Sequence, residues 1–335
     1  MECSSCGREA VMHAAYSGSH LCEEHFRRSV QRRVRRRIRE DALVPDDATP
    51  EDPDRWLIGL SGGKDSVVLT QLLWETFRED PRIELIALTI HEGIEGYRDE
   101  SLSACVELTD RLGIRHEVVH YEEELGVRMD DVAEADPLGM SPCAYCGVFR
   151  RDLLERYAAE FDADKLLTGH NLDDEAQTAL MNVLEGDVRQ IAKHFDASLG
   201  PFDERTSPAD DQDRPRREEQ GTFVPRAKPL RDVPEREVAL YAHLAELPAH
   251  VAECPHASEA YRGEIQSLIH DLEENHPGTR HSILSGYEEL ASLAAREYGG
   301  GDDERVDLSE CRRCGSPTSG EVCRKCRMLE AVEEV

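Results

Sequence analysis

The sequence predicts an α/β protein in which a parallel β-sheet carries helices on both faces and a small Cys-rich module flanks it at each end. Short apolar runs typical of buried strands alternate with helical segments of roughly ten to fifteen residues through the middle of the chain. Cysteines gather at both termini in segments too short to bury an apolar core, so bound metal must hold those segments together. At 335 residues the chain also exceeds the usual size of one domain, which favours one main domain with small satellites.

The elements follow in order along the chain. Residues 1–26 form the first predicted module, and residues 27–54 contain an Arg-rich helix followed by an acidic, proline-containing linker. In residues 27–40 the apolar residues Val30, Val34 and Ile38 recur at four-residue intervals, which marks one helical face. The second module is predicted at residues 304–330.

The main domain is predicted at residues 55–298. We expect buried strands at 56–60, 84–90, 115–121 and 165–169. We expect helices after 61–66 up to Phe77, at 97–112, after Cys146, and at 173–184, 235–247, 257–274 and 280–297. Residues 202–221 are polar and charged, which indicates an exposed loop insertion, and 299–303 indicate a flexible joint.

The charge balance is strongly acidic, with 70 Asp and Glu against 40 Lys and Arg and a formal net charge of −30. Such a surface suits a cytosol with molar salt, where the Debye length shrinks to about 3 Å. The composition therefore indicates a halophilic source, an archaeon. The eight arginines of residues 27–40 stand out against this background, and we expect Arg32, Arg33, Arg35 and Arg36 to contact RNA phosphates. A solvated charged face is the alternative.

The compartment follows from what the sequence lacks. There is no run of eighteen apolar residues, so no membrane span is expected. The N-terminal segment MECSSCGREA lacks the profile of a secretory signal, so the protein is expected to be cytoplasmic. Eleven cysteines in a cytosolic protein are better explained as metal ligands or catalytic thiols than as disulfides.

Both terminal modules have the spacing of zinc sites. At the N-terminus the ligands are Cys3, Cys6, Cys22 and His25, and at the C-terminus they are Cys311, Cys314, Cys323 and Cys326. Paired Cys-x-x-Cys knuckles of this kind fit tetrahedral zinc. The sequence therefore predicts two Zn²⁺ ions, whose main role is to hold together segments that have no apolar core.

A glycine-rich loop, SGGKDS at 61–66, lies between a predicted strand and a predicted helix. Glycines let backbone N–H groups approach phosphate, and the helix N-terminus adds the positive end of a dipole. Lys64 adds a positive charge, Ser61 and Ser66 add hydroxyls, and Asp65 is suited to bind Mg²⁺ on the phosphates. GLSGGKDS resembles the PP-loop of the ATP pyrophosphatases, which form adenylated intermediates, so ATP binding is expected at Ser61, Gly62, Gly63, Lys64, Asp65 and Ser66.

A second segment, TGHNLDDEAQT at 168–178, resembles the other signature of the PP-loop superfamily. The resemblance implies that Gly169 and Asp174 lie near the nucleotide, with Asp174 functional. Asp173 and Asp174 at a helix start are equally typical of capping residues, and that alternative stays open from the residues alone.

A third kind of cysteine site lies in the middle of the chain. Cys143 and Cys146 form a Cys-x-x-Cys pair, which is either a redox pair or half of a metal site. Because each terminal module completes four ligands by itself, only Cys254 or Cys105 remains as a partner. Three thiolates are too few for a closed zinc site but can hold an iron–sulfur cluster with one iron open.

In whole-chain order, the PP-loop, the Cys-x-x-Cys pair and a distant single cysteine resemble the TtcA/TtuA family of tRNA 2-thiolation enzymes. Zinc modules at both ends resemble the TtuA branch and its archaeal NcsA-like members. The resemblance implies the adenine nucleotide alpha hydrolase-like fold and a catalytic trio of Cys143, Cys146 and Cys254 that binds a 4Fe-4S cluster. It leaves Cys105 as a structural cysteine, and it implies a basic residue that corresponds to either Arg150 or Arg151.

The resemblance also implies a reaction. The uridine O2 of tRNA attacks the α-phosphate of ATP, pyrophosphate leaves, and sulfur from the cluster or from a persulfide replaces the adenylated oxygen. The wobble uridine is the expected target, and a T-loop uridine is the alternative. A ubiquitin-like sulfur carrier protein and a homodimer are further expectations. Two other functions remain: a PP-loop amidotransferase or ligase, which would not need the cysteine trio, and a zinc-ribbon RNA-binding scaffold, which would not need SGGKDS.

Overall fold

The computed structural model describes residues 1–186, 188, 191–192, 224–257, 261–298 and 309–333. Its elements are, in order, β1 (Met12–Ala14), β2 (Ser19–Leu21), α1 (Glu23–Glu40), β3 (Asp54–Gly59), α2 (Lys64–Phe77), β4 (Ile83–His91), α3 (Tyr97–Leu112), β5 (Arg115–His120), α4 (Tyr121–Leu125), α5 (Met129–Ala135), α6 (Pro142–Glu160), β6 (Lys165–Leu167), α7 (Leu172–Glu185), β7 (Arg226–Ala227), α8 (Glu235–Leu244), α9 (Tyr261–Asn275), α10 (Thr279–Tyr298), β8 (Ser309–Glu310), β9 (Pro317–Thr318) and α11 (Arg324–Glu333).

Five strands form one parallel sheet in the order β5-β4-β3-β6-β7. The central strand β3 pairs with β4 on one side and β6 on the other, so Trp56 lies between Leu85 and Lys165. The carboxyl ends of β3 and β6 therefore lie side by side, and the two signature loops follow them. The predicted α/β fold is confirmed. The edge strand β7 was not predicted, because two residues after a polar stretch carry no periodicity.

Alternate residues of β3 face opposite layers of helices. Trp56 and Ile58 pack in a core with apolar residues of α1, α2 and α8. Leu57 packs on the other face with residues of α5, α6 and α11, such as Phe149 and Met328. This alternation is the two-residue period of a strand, and it explains why β3 is apolar throughout.

Helix α1 buries the face predicted for it. Val30, Val34 and Ile38 are buried together with Phe26. The helix begins at Glu23 rather than at residue 27, so it continues directly from the N-terminal module. The module is thereby fixed to the sheet domain through the apolar face of α1.

Three other predictions need comment. The helix predicted after Cys146 begins at Pro142, so both cysteines of the pair lie inside α6, and this prediction is corrected. Proline is favoured at the first helical position because its fixed φ suits the helix and its missing N–H is not needed there. Helices α4 and α5 were not predicted. The loop insertion at 202–221 and the joint at 299–303 lie outside the described residues.

The C-terminal module rests on α6. Met328 of α11 is buried in the same core as Phe149 of α6, and Lys325 forms an ion pair with Asp152 at 2.9 Å. Helix α6 thus carries the central cysteine pair at one end and supports the C-terminal module along its side. None of the helices in the described parts of the chain is both long and apolar enough to cross a membrane.

Candidate active site

Each terminal module brings four ligand atoms together. The sets are Cys3, Cys6, Cys22 and His25, and Cys311, Cys314, Cys323 and Cys326. Within each set the atoms all lie within 4.8 Å of one another. The Sγ atoms of Cys6 and Cys22 are 3.7 Å apart, as are those of Cys314 and Cys323. A tetrahedral zinc with Zn–S bonds of about 2.3 Å would separate its sulfurs by about 3.8 Å, so each set fits one zinc ion.

The pKa values of two of these thiols favour metal binding. A backbone hydrogen bond at Cys22 lowers the pKa of Cys3 to about 6, and one from Cys323 lowers the pKa of Cys311 to about 6. The thiolate is the form that binds metal. Both modules therefore hold at least one thiol that is ionised at neutral pH.

The glycine-rich loop after β3 folds back against the start of α2. The Ser61 N–H donates to Ser66 Oγ at 3.1 Å, and Ser66 Oγ donates to the Gly63 carbonyl at 3.0 Å. Gly62 has φ +81°, and a Cβ there would lie 2.3 Å from the carbonyl oxygen of Ser101. Only glycine satisfies both the left-handed backbone and this close approach. The loop can therefore present backbone N–H groups at the helix start.

The N-terminus of α2 is suited to an anion. Its N-cap residue is Gly63, and the helix start has no side-chain cap among the described residues. Lys64 Nζ lies 3.0 Å from Asp65 Oδ2 and 2.7 Å from Glu235 Oε1. Burial opposes its charge, but the two carboxylates outweigh burial and raise the pKa of Lys64. Free N–H groups, a helix dipole and a charged ammonium therefore converge where phosphate would bind.

The second signature loop lies directly against the first. A Cβ on Gly169 would come within 2.9 Å of the backbone of Asp65 and Ser66, so the contact requires glycine. Asn171 links the loops: its Nδ2 donates to Asp65 Oδ1 at 3.0 Å, while its Oδ1 accepts the Asp174 N–H at 3.2 Å. The two loops thus form one surface at the carboxyl ends of β3 and β6.

The neighbouring aspartates of α7 have different surroundings. Asp173 accepts the Glu235 N–H at 2.8 Å and pairs with Arg280 at 2.6 Å, so it joins α7, α8 and α10. Asp174 accepts the Asn171 N–H at 3.2 Å. Burial raises the pKa of Asp174, and the negative charges of Asp65 and Glu235 raise it further. Asp174 is therefore both a capping residue and part of a carboxylate group that a cation would stabilise.

The central cysteine pair lies at the start of α6. Cys146 Sγ accepts from Arg150 Nη2 at 3.2 Å and lies 3.8 Å from the Tyr121 hydroxyl. Burial raises the pKa of the Cys146 thiol, and Arg150 opposes this. Cys143 is exposed, and its Sγ lies 3.8 Å from the carbonyl oxygen of His256. Cys254 packs against the same apolar cluster as Cys146.

A short segment, His250 to His256, connects this pair with the nucleotide loop. The His250 N–H donates to the Gly62 carbonyl at 2.9 Å and forms a parallel bridge with Gly63. Six residues later His256 reaches Cys143 Sγ, and its ring contacts Asp130 at 2.6 Å. A chain spans at most about 3.6 Å per residue, so Cys254 lies within about 14 Å of the loop contact. The segment carrying Cys254 therefore ties both halves of the site together.

Cys105 is part of the core. It is fully buried, and its Sγ lies 3.6 Å from the Leu60 carbonyl oxygen. Burial raises the pKa of its thiol. These surroundings agree with a structural cysteine.

Sequence reasoning missed several polar residues at the site. Glu92 and Arg98 are buried between the glycine-rich loop and Cys146, and Arg150 pairs with Glu92. Glu235 lies beside Lys64. No motif marked Glu92 or Glu235. Position offered the only signal: Glu92 lies two residues after the strand predicted at 84–90, and Glu235 is the first residue of the helix predicted at 235–247.

The Arg-rich face of α1 differs from the predicted one. Arg33 is 13% exposed and pairs with Glu237, so the expectation that Arg33 contacts RNA is corrected. Arg36 is exposed but lies near Asp232 and Glu40. A surface groove of about 370 Å³ is lined instead by Arg28, Gln31, Arg32, Arg35 and Arg39. Residues spaced by three and four positions share one helical face, whereas Arg33 points inward.

Comparisons with known proteins agree with these features. The PP-loop domain family matches residues 28–243, and the N-terminal LIM domain of the 2-thiouridine synthetase TtuA matches residues 2–27. The tRNA 2-thiolation protein NcsA of Haloferax volcanii is 69% identical over 335 residues, which are 100% of both chains. The tRNA-5-methyluridine(54) 2-sulfurtransferase of Pyrococcus horikoshii is 32% identical over 100% of this chain and 96% of its own.

A solved structure shows the same architecture. The U34-tRNA thiolase NcsA of Methanococcus maripaludis, determined with its 4Fe-4S cluster, is 35% identical and superposes with a TM-score of 0.77. The match covers 98% of this chain and 96% of that chain. The chain therefore belongs to the PP-loop family of NcsA and TtuA.

Proposed function

We propose that the protein catalyses the ATP-dependent 2-thiolation of a uridine in tRNA. The observation that carries the proposal is the His250–His256 segment, which bonds to the glycine-rich loop at Gly62 and reaches Cys143 at its other end. A thiol pair and a phosphate-binding loop joined in this way suit a reaction that needs both adenylation and sulfur transfer. A PP-loop ligase or an RNA-binding scaffold would have no use for that connection.

The wobble uridine is the proposed target. The relative from Methanococcus maripaludis is a U34-tRNA thiolase, and the relative from Pyrococcus horikoshii acts on position 54. The Haloferax volcanii protein, a tRNA 2-thiolation protein NcsA, is 69% identical, whereas the position-54 enzyme is 32% identical. The greater similarity to an NcsA protein favours U34, and thiolation of a T-loop uridine is the second candidate.

The first step uses the two signature loops. The β- and γ-phosphates of ATP bind the N-terminus of α2 and Lys64, which exchanges its contact with Glu235 for phosphate oxygens. Asp65 and Asp174 are proposed to hold Mg²⁺. Burial and then the charges of Asp65 and Glu235 raise the pKa of Asp174, and a bound cation would offset that repulsion. Uridine O2 then bonds to the α-phosphorus as the α–β phosphoanhydride bond breaks and pyrophosphate leaves.

In the second step sulfur replaces the activated oxygen. Sulfur at the oxidation level of sulfide bonds to C2 of the adenylated uridine, the C2–O bond breaks, and AMP leaves with that oxygen, so the step needs no oxidant or reductant. Adenylation is needed because it converts a poor leaving oxygen into a phosphate ester oxygen. The proposed role of Cys143, Cys146 and Cys254 is to hold the sulfur-delivering group beside the adenylated base.

Cys143, Cys146 and Cys254 are proposed to bind a 4Fe-4S cluster. The relative from Methanococcus maripaludis was determined with its 4Fe-4S cluster and is 35% identical, and the match covers 98% of this chain. The Arg150 guanidinium, 3.2 Å from Cys146, suits the negative charge of a thiolate-bound cluster. When bound by three cysteines, such a cluster supplies an iron without a protein ligand, at which sulfur can be held.

The exposed arginine face of α1 is proposed to bind the tRNA backbone. Arg32 and Arg39 have no acidic partner among the described residues, although acidic residues outnumber basic ones in the chain. Arg28 and Arg35 extend the same face. Phosphate contacts of this kind position the RNA and carry no sequence information, so the cysteine site must select the base.

This face gives a testable salt dependence. Affinity for tRNA falls as salt rises, so the slope of log affinity against log salt concentration is negative. In the double variant Arg32→Gln and Arg39→Gln the magnitude of this slope should decrease by about 2, because each phosphate contact contributes about 1. Filter binding over a salt series measures the slope. Arg78→Gln, an exposed arginine beside Glu79, is the control and should keep the wild-type slope. An unchanged slope in the double variant would remove α1 from the RNA site.

Three further expectations remain proposals. A ubiquitin-like sulfur carrier protein with a C-terminal thiocarboxylate is proposed as the physiological donor, and a homodimer as the assembly. A cytoplasmic location is supported by the relative from Malassezia globosa, a cytoplasmic tRNA 2-thiolation protein that is 35% identical.

The activity is tested with anaerobically purified protein, unmodified tRNA, Mg·ATP and inorganic sulfide. We expect 2-thiouridine in the digested tRNA by mass spectrometry, with AMP and pyrophosphate formed in equal amounts. Lys64→Ala should weaken ATP binding and suppress all three products. Pyrophosphate without thiouridine would point to another PP-loop ligase, and protein lacking iron and acid-labile sulfide would contradict the cluster.

A further inference from the structure

A buried carboxylate lies between the two halves of the site. Glu92 directly follows β4 and is 0% exposed, and it pairs with Arg98, which is 6% exposed. It also pairs with Arg150 Nη2 at 2.8 Å. Burying charges costs several kcal/mol per ion unless excellent partners offset it. A buried Glu92–Arg98 pair that also holds the half-exposed Arg150 therefore needs an explanation beyond stability.

The first arginine of the triad holds the glycine-rich loop. Arg98 Nη1 donates to the Ser61 carbonyl at 3.2 Å, and its Nη2 donates to the Ile90 carbonyl at 2.8 Å. Ser61 begins the loop, and Ile90 belongs to the neighbouring strand β4. Arg98 thus links the start of the glycine-rich loop to strand β4, and its ion pair with Glu92 holds the Arg98 side chain in place.

The second arginine holds the thiol side. Arg150 Nε donates to Glu92 Oε1 at 3.1 Å, and its Nη2 donates to Cys146 Sγ at 3.2 Å. Arg150 is 47% exposed, so without Glu92 its long side chain would be free to turn toward water. Glu92 therefore decides where this positive charge lies relative to the thiol.

We propose that Glu92 is a positioning residue that couples the nucleotide loop to Cys146 through Arg98 and Arg150. The proposal rests on the proposed function and adds a path between its two steps. A shift of Ser61 when phosphate binds is passed to Arg98 and Glu92, and Glu92 moves Arg150 relative to the sulfur. Because coupling free energies are reciprocal, a group bound at Cys146 must change ATP affinity by the same factor.

The test measures that factor directly. The dissociation constant of ATP is determined by equilibrium titration for wild-type protein with its iron–sulfur cluster and after cluster removal. We expect the two values to differ by about fivefold or more, the lower range of measured couplings. In Glu92→Gln the ratio of these two dissociation constants should fall to about 1. The electron paramagnetic resonance spectrum of the reduced cluster should shift on addition of ATP in wild type and stay unshifted in the variant.

A matched control separates coupling from general damage. Glu237 is also a buried carboxylate, 2% exposed and paired with Arg33, and its Oε1 accepts a hydrogen bond from the Tyr16 hydroxyl rather than contacting the glycine-rich loop or Cys146. Glu237→Gln should keep the ratio of ATP affinities and the ATP-dependent spectral shift. Thiolation should fall by about 10- to 100-fold in Glu92→Gln, as for other residues that orient metal ligands, and should persist in Glu237→Gln.

A second variant keeps the proposal testable if Glu92→Gln does not fold. Arg150→Gln removes the half-exposed arginine and leaves the buried Glu92–Arg98 pair intact, and it too should bring the affinity ratio to about 1. A ratio that stays at the wild-type value in either folded variant overturns the proposal, as does loss of the ratio in Glu237→Gln. Because the ratio is measured without tRNA, absence of thiolation in wild type would refute the proposed function alone.

Discussion

The pattern Cys-x-x-Cys-Gly occurs three times in the chain, at 3–7, 143–147 and 311–315, and it does not fold in one way. In the terminal modules the glycine after the second cysteine is left-handed, with φ +73° at Gly7 and +75° at Gly315. There the glycine N–H donates back to the carbonyl of the first cysteine, at 3.0 and 2.9 Å. The central copy lies inside α6, with Gly147 a helical residue.

The difference arises from the residue that precedes each copy of the pattern. Pro142 starts α6 directly before the central copy, and a proline at that position favours a helix. No proline precedes the terminal copies, which close as tight turns and place both thiols in a set that fits one metal ion. The same five-residue pattern therefore forms either a tight turn suited to one metal ion or the start of a helix. In the helix, the two thiols can share a site with a cysteine that is distant in sequence.

The largest effect should come from the central thiols. Cys143→Ala or Cys254→Ala should abolish thiouridine formation while the unfolding temperature and the zinc content stay at wild-type values, because these thiols bind no structural zinc. Thiolation is measured by mass spectrometry of tRNA nucleosides. Cys105→Ala is the control and should remain active. Thiouridine formed by either central variant would show that the third thiol was wrongly assigned.

The terminal cysteines should show the reverse pattern. Cys6→Ser or Cys314→Ser should each remove one zinc per chain and unfold the affected module, since structural zinc contributes about 10–16 kcal/mol of apparent binding free energy in small modules. Elemental analysis and limited proteolysis measure both losses. ATP affinity should persist, because neither module contributes a residue to the glycine-rich loop. A variant that keeps two zinc ions would contradict the assignment of the ligands.

The smallest effect is expected for the glycine that ends each copy of the pattern. Gly7→Ala or Gly315→Ala should destabilise its module by about 1–2 kcal/mol, the cost of a left-handed alanine. Gly147→Ala should instead stabilise the helix by about 0.5–1 kcal/mol. Apart from chain neighbours and the helix's own backbone, no atom of the described residues lies within 4 Å of the added Cβ at any of the three sites, so backbone conformation sets the sign. Denaturant unfolding of the metal-loaded protein measures it, and equal signs at all three would refute the distinction.

Local patterns predicted much of the site. The order of strand, SGGKDS and helix predicted the glycine-rich loop, and the start of α2 at Lys64 agrees with it. The paired spacing of the terminal cysteines predicted two ligand sets, which the fold brings within 4.8 Å. These predictions succeed because the interactions involved join residues that are near each other in sequence.

Other features depended on distant contacts. Arg33 and Arg32 are neighbours in sequence and were predicted to face RNA together, yet Arg33 pairs with Glu237 on α8 and Arg32 faces solvent. Glu92 carries no motif, and its importance arises only because α3 and α6 bring two arginines to it. Helix α1 also buries a polar side, on which Arg33 lies, and a pattern of apolar residues cannot reveal such a side.

By itself the sequence determined the alternation of strands and helices, the glycine-rich loop and the two terminal sets of Cys and His side chains. These follow from backbone preferences and from side chains only a few residues apart. Only the tertiary structure decided which residues meet across the sheet edge. Parallel strands align their carboxyl ends, so the loops that carry Gly62 and Asp174 meet there. The His250–His256 segment connects Gly62 with Cys143, and packing pairs the buried charges of Glu92 and Arg98.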